Sequence, residues 1–177
     1  MKNFEAPERL SELKIPETLS RIGLKEGDVF CDFGAGTGIF SFETCGKNGV
    51  TVFAVEKDPD MLEILKSKKE KQNAAHVHIL DDIEQVKKAS CDVLLMCTVL
   101  HEILDQPALL SRVADSIKPE GIAAVIEFHK RQTPFGPPAG HRMERSTAVG
   151  TMQTLGFALQ KEWDLGENLY CIVFQKK

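Results

Sequence analysis

Short apolar runs alternate along the chain with amphipathic stretches. Val29–Phe33 (VFCDF), Val50–Val55 (VTVFAV), His76–Leu80, Asp92–Cys97 (DVLLMC) and Ile122–Phe128 have strand length and are apolar almost throughout. Helical spacing lies between them. Asp58-Pro59 opens a helix to about Gln72, with Asp58 as N-cap, Pro59 at the first helical position, and Met61, Leu62 and Leu65 on one stripe. Short helical pieces fit Ile39–Gly46 and Ile83–Lys88. A longer helix fits Pro107–Ile117 and stops at the turn Lys118-Pro119-Glu120-Gly121. Buried strands, each followed by a helix, predict an α/β fold with a doubly wound, mostly parallel sheet covered on both faces.

The two ends depart from this rhythm. Pro7–Ile22 carries Leu10, Leu13, Ile15, Leu19 and Ile22 among charges, so residues 1–24 form an N-terminal helical segment. Thr133–Gly140 (TPFGPPAG) is too rich in Pro and Gly for regular structure. A helix over Glu144–Leu155 follows, stopped by Gly156. Phe157–Leu165 and Asn168–Gln175 are then strands joined by Gly166-Glu167, which is hairpin spacing. The sheet should therefore end in an antiparallel pair. With no internal repeat or low-complexity tract, residues 1–177 read as a single domain.

Composition narrows the classes. The 177 residues are 42% hydrophobic and 27% charged, with a formal net charge of −4, as in an ordinary globular domain. No basic footprint for nucleic acid stands out, and the one basic run, Lys66–Lys71, reads as a solvated helix face. No apolar stretch of ~18 residues is present, so a membrane span is not expected. The charged opening lacks a signal-peptide core, which predicts a cytoplasmic protein. The five cysteines (Cys31, Cys45, Cys91, Cys97 and Cys171) include no CxxC pair, so neither a metal site nor a disulfide framework is expected.

Candidate chemistry gathers after the first strand. Asp32-Phe33-Gly34-Ala35-Gly36-Thr37-Gly38 is a glycine-rich turn at a strand end, where open parallel sheets bind ligands. Glycines there permit positive φ and close approach of backbone to ligand, and a following helix would offer free N–H groups. Asp32, inside an apolar run, needs a partner, from a ligand ammonium or from the turn itself. Glu56 ends the second strand about 20 residues on, where an acid can accept from both ribose hydroxyls. Asp82, or its neighbour Asp81, follows the third strand and can accept from an adenine amino group or cap the next helical piece, with the Ile83 N–H beside it. A nicotinamide-type G-x-G-x-x-G would need glycine at position 39, which is Ile39.

The segments Asp32–Gly38, Val55–Leu62, Cys91–Val93 through Leu100-His101-Glu102, and Leu110 through Gly121 together resemble the successive motifs of class I S-adenosylmethionine-dependent methyltransferases. The resemblance runs from about Pro7 to Phe174 and is nearest to the small-molecule enzymes of that class. It implies a seven-stranded sheet and S-adenosyl-L-methionine as cofactor. It places Gly34, Ala35, Gly36 and Gly38 beneath the methionine part, with Asp32 holding the turn. Glu56 would take the ribose, Lys57 or Met61 an adenine face, and Asp82 and Ile83 the adenine edge. Cys97 and Thr98 would stand near the methionine group. Asp81, where relatives often have glycine, and Ile39, where an aromatic is frequent, depart from the pattern.

Methyl transfer needs alignment, and a general base only where the acceptor carries a proton of high pKa. His101 and His129, each just after a strand, are the candidates for base or substrate contact, ahead of Glu102 and Glu127. His76 and His78 read as structural. Residues 130–143 form the expected substrate lid, with His141 and Arg142 placed to meet a substrate, Arg142 an anionic one. The short chain favours a small-molecule acceptor. A cofactor-binding module without turnover, as sensor or partner subunit, is the alternative. The acceptor and the oligomeric state are left open.

Overall fold

The computed structural model describes residues 4–46 and 48–177, without the side chains of Cys45 and Gly46. The readings made for the first three residues and for the Cys45 side chain lie outside it. Seven strands form one sheet: β1 (Val29–Phe33), β2 (Thr51–Val55), β3 (Val77–Leu80), β4 (Cys91–Cys97), β5 (Ile117–Phe128), β6 (Phe157–Leu165) and β7 (Leu169–Lys176). Their spatial order is β3-β2-β1-β4-β5-β7-β6. The first five are mutually parallel, and β7 pairs antiparallel with both β5 and β6. The order reverses between β1 and β4, so their C-terminal ends flank a ligand crevice.

Alternation along each strand divides the core between two faces. Phe30, Val52, Ala54, Val93, Leu95, Ala124 and Ile126 pack on one side, with Leu13, Leu19, Ile22 and Leu65. These last come from α1 (Pro7–Leu13), α2 (Ile15–Ile22) and α3 (Pro59–Lys71). Cys31, Phe33, Leu94, Met96 and Val125 pack on the other side, with Leu100, Leu110, Val113 and Met152. Those belong to α4 (Leu100–Ile103), α5 (Pro107–Ser116) and α6 (Arg145–Thr154). The helix at Pro59 starts as expected, because the Asp58 carboxylate accepts from the N–H groups of Asp60 and Met61.

The N-terminal segment is divided, and three local expectations fail. The N-terminal helical segment is two helices, broken at Lys14 (φ 41°), because Pro16 lacks an N–H and clashes with the preceding turn of a continuous helix. No α-helix follows the glycine turn. Residues 39–42 are turns, and Glu43–Gly46 is a single 3-10 turn. Ser41 turns its hydroxyl back to the Asp32 carboxylate on β1 at 2.6 Å, and Thr44 donates to the Ser41 carbonyl at 2.7 Å; both compete with helix formation. Ile83–Lys88 likewise shortens to the 3-10 turn Ile83–Gln85. Finally, the turn at Lys118–Gly121 lies within β5 as a bulge, where pairing to β4 jumps between Cys91/Ile117 and Val93/Ile122 and Glu120 takes φ 61°.

Candidate active site

The glycine turn is braced from inside. The N–H groups of Gly34 and Ala35 both donate to the Val55 carbonyl, at 2.8 and 3.0 Å, and Gly38 N–H donates to Ala35. Gly36 N–H donates to Glu56 Oε2 at 2.8 Å. The other oxygen of Glu56 accepts from the N–H groups of Lys57 and Asp58. Three of the roughly four acceptor positions of this carboxylate are thus engaged, and the one left is on Oε2. The expected row of free N–H groups at a helix start is absent, since the helix itself is absent. Glycine is nonetheless required: a Cβ on Gly34 would stand 2.4 Å from a Val99 methyl. Gly36, at φ 55°, meets only the Phe4 ring, 4.0 Å from where its Cβ would be. A floor without side chains at the β1–β4 crevice is the shape that admits a cofactor close to backbone.

Asp32 is 2% exposed and finds its partner within the chain. Ser41 Oγ donates to it at 2.6 Å. Burial pushes the carboxyl up to about 6, although the Ser41 hydrogen bonds pull it down. The partner is thus neither a ligand ammonium nor the glycine turn. Ser41 went unmentioned, because only a non-helical 39–42 segment brings it back over β1.

The far side of the crevice is the end of β4. Cys97 is buried, and burial raises its thiol to about 12, so it is a neutral thiol at physiological pH. Thr98 takes φ 58°, rare for a β-branched residue. Arg9, from α1, reaches both: its Nη2 lies 3.7 Å from Cys97 Sγ and donates to Thr98 Oγ1 at 3.3 Å. Asp82 caps the 3-10 turn after β3 by accepting from Glu84 N–H at 2.8 Å, while Ile83 is buried. Lys57 is exposed and Met61 half-buried where α3 begins.

His101 and His129 have different surroundings. His101 Nδ1 lies 3.0 and 2.9 Å from the two carboxylate oxygens of Glu127, and its backbone N–H also donates to that group. Glu127 is 1% exposed at the end of β5. The pair is a histidine oriented by a buried carboxylate. A proton on Nδ1 leaves Nε2 as the basic nitrogen. His129 instead sits 3.3 Å from Asp164 on β6, with its ring 5.4 Å from that of Tyr170 on β7. Burial lowers its pKa, with Asp164 opposing.

The 130–143 segment is irregular, as expected, apart from the 3-10 turn Ala139–His141, where His141 is exposed. The expectation for Arg142 is overturned. It is 6% exposed, and its guanidinium donates to the carbonyls of Pro137, His129, Arg131 and Phe135 while stacking 4.9 Å above Phe128. Four of its five N–H groups are thereby used, so it organises the loop and is not presented to a substrate. Among the described residues, no group of three or more His, Cys, Asp or Glu is placed to hold a metal ion, and no helix is long and apolar enough to cross a membrane.

A seven-stranded sheet with this order and a glycine turn at its switch point defines a class I methyltransferase fold. The chain matches the family model described as a methyltransferase domain over residues 7–162, and it belongs to that family. No curated protein matches it by sequence. Among solved structures it is similar to a SAM-dependent methyltransferase from Aquifex aeolicus, at 20% identity over 98% of this chain and 95% of that one, with a TM-score of 0.91. The cyclase SpnF shares the fold at 14% identity, over 93% of this chain and 81% of that one (TM-score 0.79). So does phosphoethanolamine N-methyltransferase 2 from Haemonchus contortus, solved with S-adenosyl-L-methionine. That match has 16% identity over 93% of this chain and 52% of that one (TM-score 0.73).

Proposed function

We propose that this methyltransferase carries the methyl group of S-adenosyl-L-methionine to a small-molecule acceptor in the cytoplasm, and that the accepting atom gives up a proton which His101 takes. The observation that carries the reading is the His101–Glu127 pair at the β4 and β5 ends, beside the Cys97-Thr98 rim. The bound cofactor supplies a methyl on a sulfonium, already activated for displacement, so the chain's work is alignment and proton handling. The Gly34–Gly38 floor sets the donor's depth. The remaining Oε2 position of Glu56 takes a ribose hydroxyl. Lys57 or Met61 would cover one adenine face, and Asp82 and the Ile83 N–H would take the adenine edge. Glu127 holds the His101 ring and stabilises the imidazolium formed as the proton arrives. His129, tied to β6 and β7, lines the base of the 130–143 loop, and His141 is exposed on that loop. A placed general base is worth roughly 10²–10⁴-fold in rate.

Thermal-shift measurement with S-adenosylmethionine, its demethylated product and NAD tests the cofactor. Stabilisation by NAD alone would sink the reading. Turnover is then followed by mass spectrometry across small hydroxyl and amine acceptors. His101→Gln should lower kcat by roughly 10²-fold or more, with product affinity unchanged. An undiminished kcat removes His101 as the base. The fold's occurrence in a cyclase keeps one other reading in view, a cofactor-binding module that transfers no methyl group. Tight cofactor binding with no methylated product across the panel would favour it.

A further inference from the structure

Among the described residues, Arg9 is a buried cation with no anionic partner. It is 7% exposed. Its partners are neutral: the Phe4 carbonyl at 3.1 Å, Thr98 Oγ1 at 3.3 Å and the Cys97 thiol at 3.7 Å. Among the described residues, its buried Nε has no hydrogen-bond acceptor. Burying a guanidinium without a counter-charge is costly, and buried charges are ordinarily paired. The position of this one is informative. Its guanidinium lies 5.5 Å from the centre of the Phe4 ring, and the same ring is the nearest neighbour of the open side of Gly36. Arg9 therefore stands at the rim of the glycine turn, against the β4 end. The N–H groups of Gly34, Ala35, Gly36 and Gly38 are committed to Val55, Glu56 and Ala35, and no α-helix follows to lend its dipole. The crevice floor thus offers an anion little, whereas its rim offers a full positive charge with an unused donor.

Resting on the donor assignment made above, we infer that Arg9 binds the α-carboxylate of the donor's amino-acid tail. The N-terminal helix α1 is then part of the cofactor site. Nε, the guanidinium nitrogen left without a partner, would give that carboxylate a charge-assisted hydrogen bond.

The test compares two ligands that differ in this tail: S-adenosylhomocysteine, which has it, and methylthioadenosine, which lacks it. For Arg9→Gln, calorimetric affinity for adenosylhomocysteine should fall about 30-fold or more, while methylthioadenosine affinity stays within a few-fold. Equal losses for both ligands would mean a structural role and overturn the inference. An unchanged adenosylhomocysteine affinity, with a raised KM for a carboxylate-bearing acceptor, would overturn it too, by assigning Arg9 to the acceptor. If Arg9→Gln does not fold, Arg9→Lys carries the same comparison. Decarboxylated S-adenosylmethionine on the unaltered protein gives a second: it should bind at least about 30-fold more weakly than S-adenosylmethionine, and equal binding refutes Arg9. An unaltered protein that binds none of these adenosyl compounds fails earlier, on the donor assignment itself.

Discussion

Asp32 shows what burial does to one carboxylate. Its proton is held more tightly in the folded chain (about 6) than at its ordinary value near 3.8. Folding stability therefore carries a contribution that is full below pH 4 and is lost as pH rises through 6. Two units correspond to about 3 kcal/mol. Urea denaturation at pH 4 and pH 7 should show Asp32→Asn relatively more stable at the higher pH by about that amount. A parallel pH profile for the two proteins would contradict the assignment. Glu56 is the complementary case, since it braces Gly36 and is the residue proposed to take a ribose hydroxyl. Glu56→Ala should weaken adenosylhomocysteine binding roughly tenfold or more, read by calorimetry, and an unchanged dissociation constant would refute the ribose role. These residues were only half legible in the sequence. Asp32 and Glu56 declared themselves by sitting in or just after apolar strands. Their partners did not, because Ser41 depends on how a non-helical segment folds back, and Arg9 meets Cys97 across 88 residues.

Among the elements, strands with uniform apolar character were readable to within a residue or two at most ends. The short piece after Gly38 was not, because Ser41 bonds back to the Asp32 carboxylate and Thr44 to the Ser41 carbonyl, which draws the segment away from a helix. Neither was the β5 bulge, since a Lys-Pro-Glu-Gly tetrad looks the same as a free turn and as an interruption in a paired strand. The 130–143 loop was legible as a loop, but its internal frame was hidden. Arg142 turns it from a flap into a folded unit by donating to carbonyls along its length. Arg142→Met should cost roughly 2–4 kcal/mol in urea unfolding and speed limited proteolysis between residues 130 and 141. A variant with a loop as resistant as the parent, and with only anionic acceptors bound more weakly, would return Arg142 to the substrate.

Across the whole molecule, the reversal between β1 and β4 brings chemistry from distant parts of the chain to one rim. The N-terminal segment contributes Phe4 and Arg9, the first turn its glycines, the β4 end Thr98 and His101, and β5 its Glu127. The sequence placed the strand ends in this crevice because apolar runs and crossovers leave few topologies. It could not say which side chains meet there, since side-chain pairing follows from register and twist. A cyclase shares the same scaffold, so the fold alone does not define the reaction.

The last strand sits inside the sheet, between β5 and β6, with partners on both sides. During synthesis, β5 must wait with an open edge until residues 169–176 clear the ribosome. Glu127 waits with it, because its backbone pairs with Tyr170 of that strand. A nascent chain stalled before residue 169 therefore exposes an aggregation-prone edge on β5, and Glu127 lacks the strand that fixes its place beside His101.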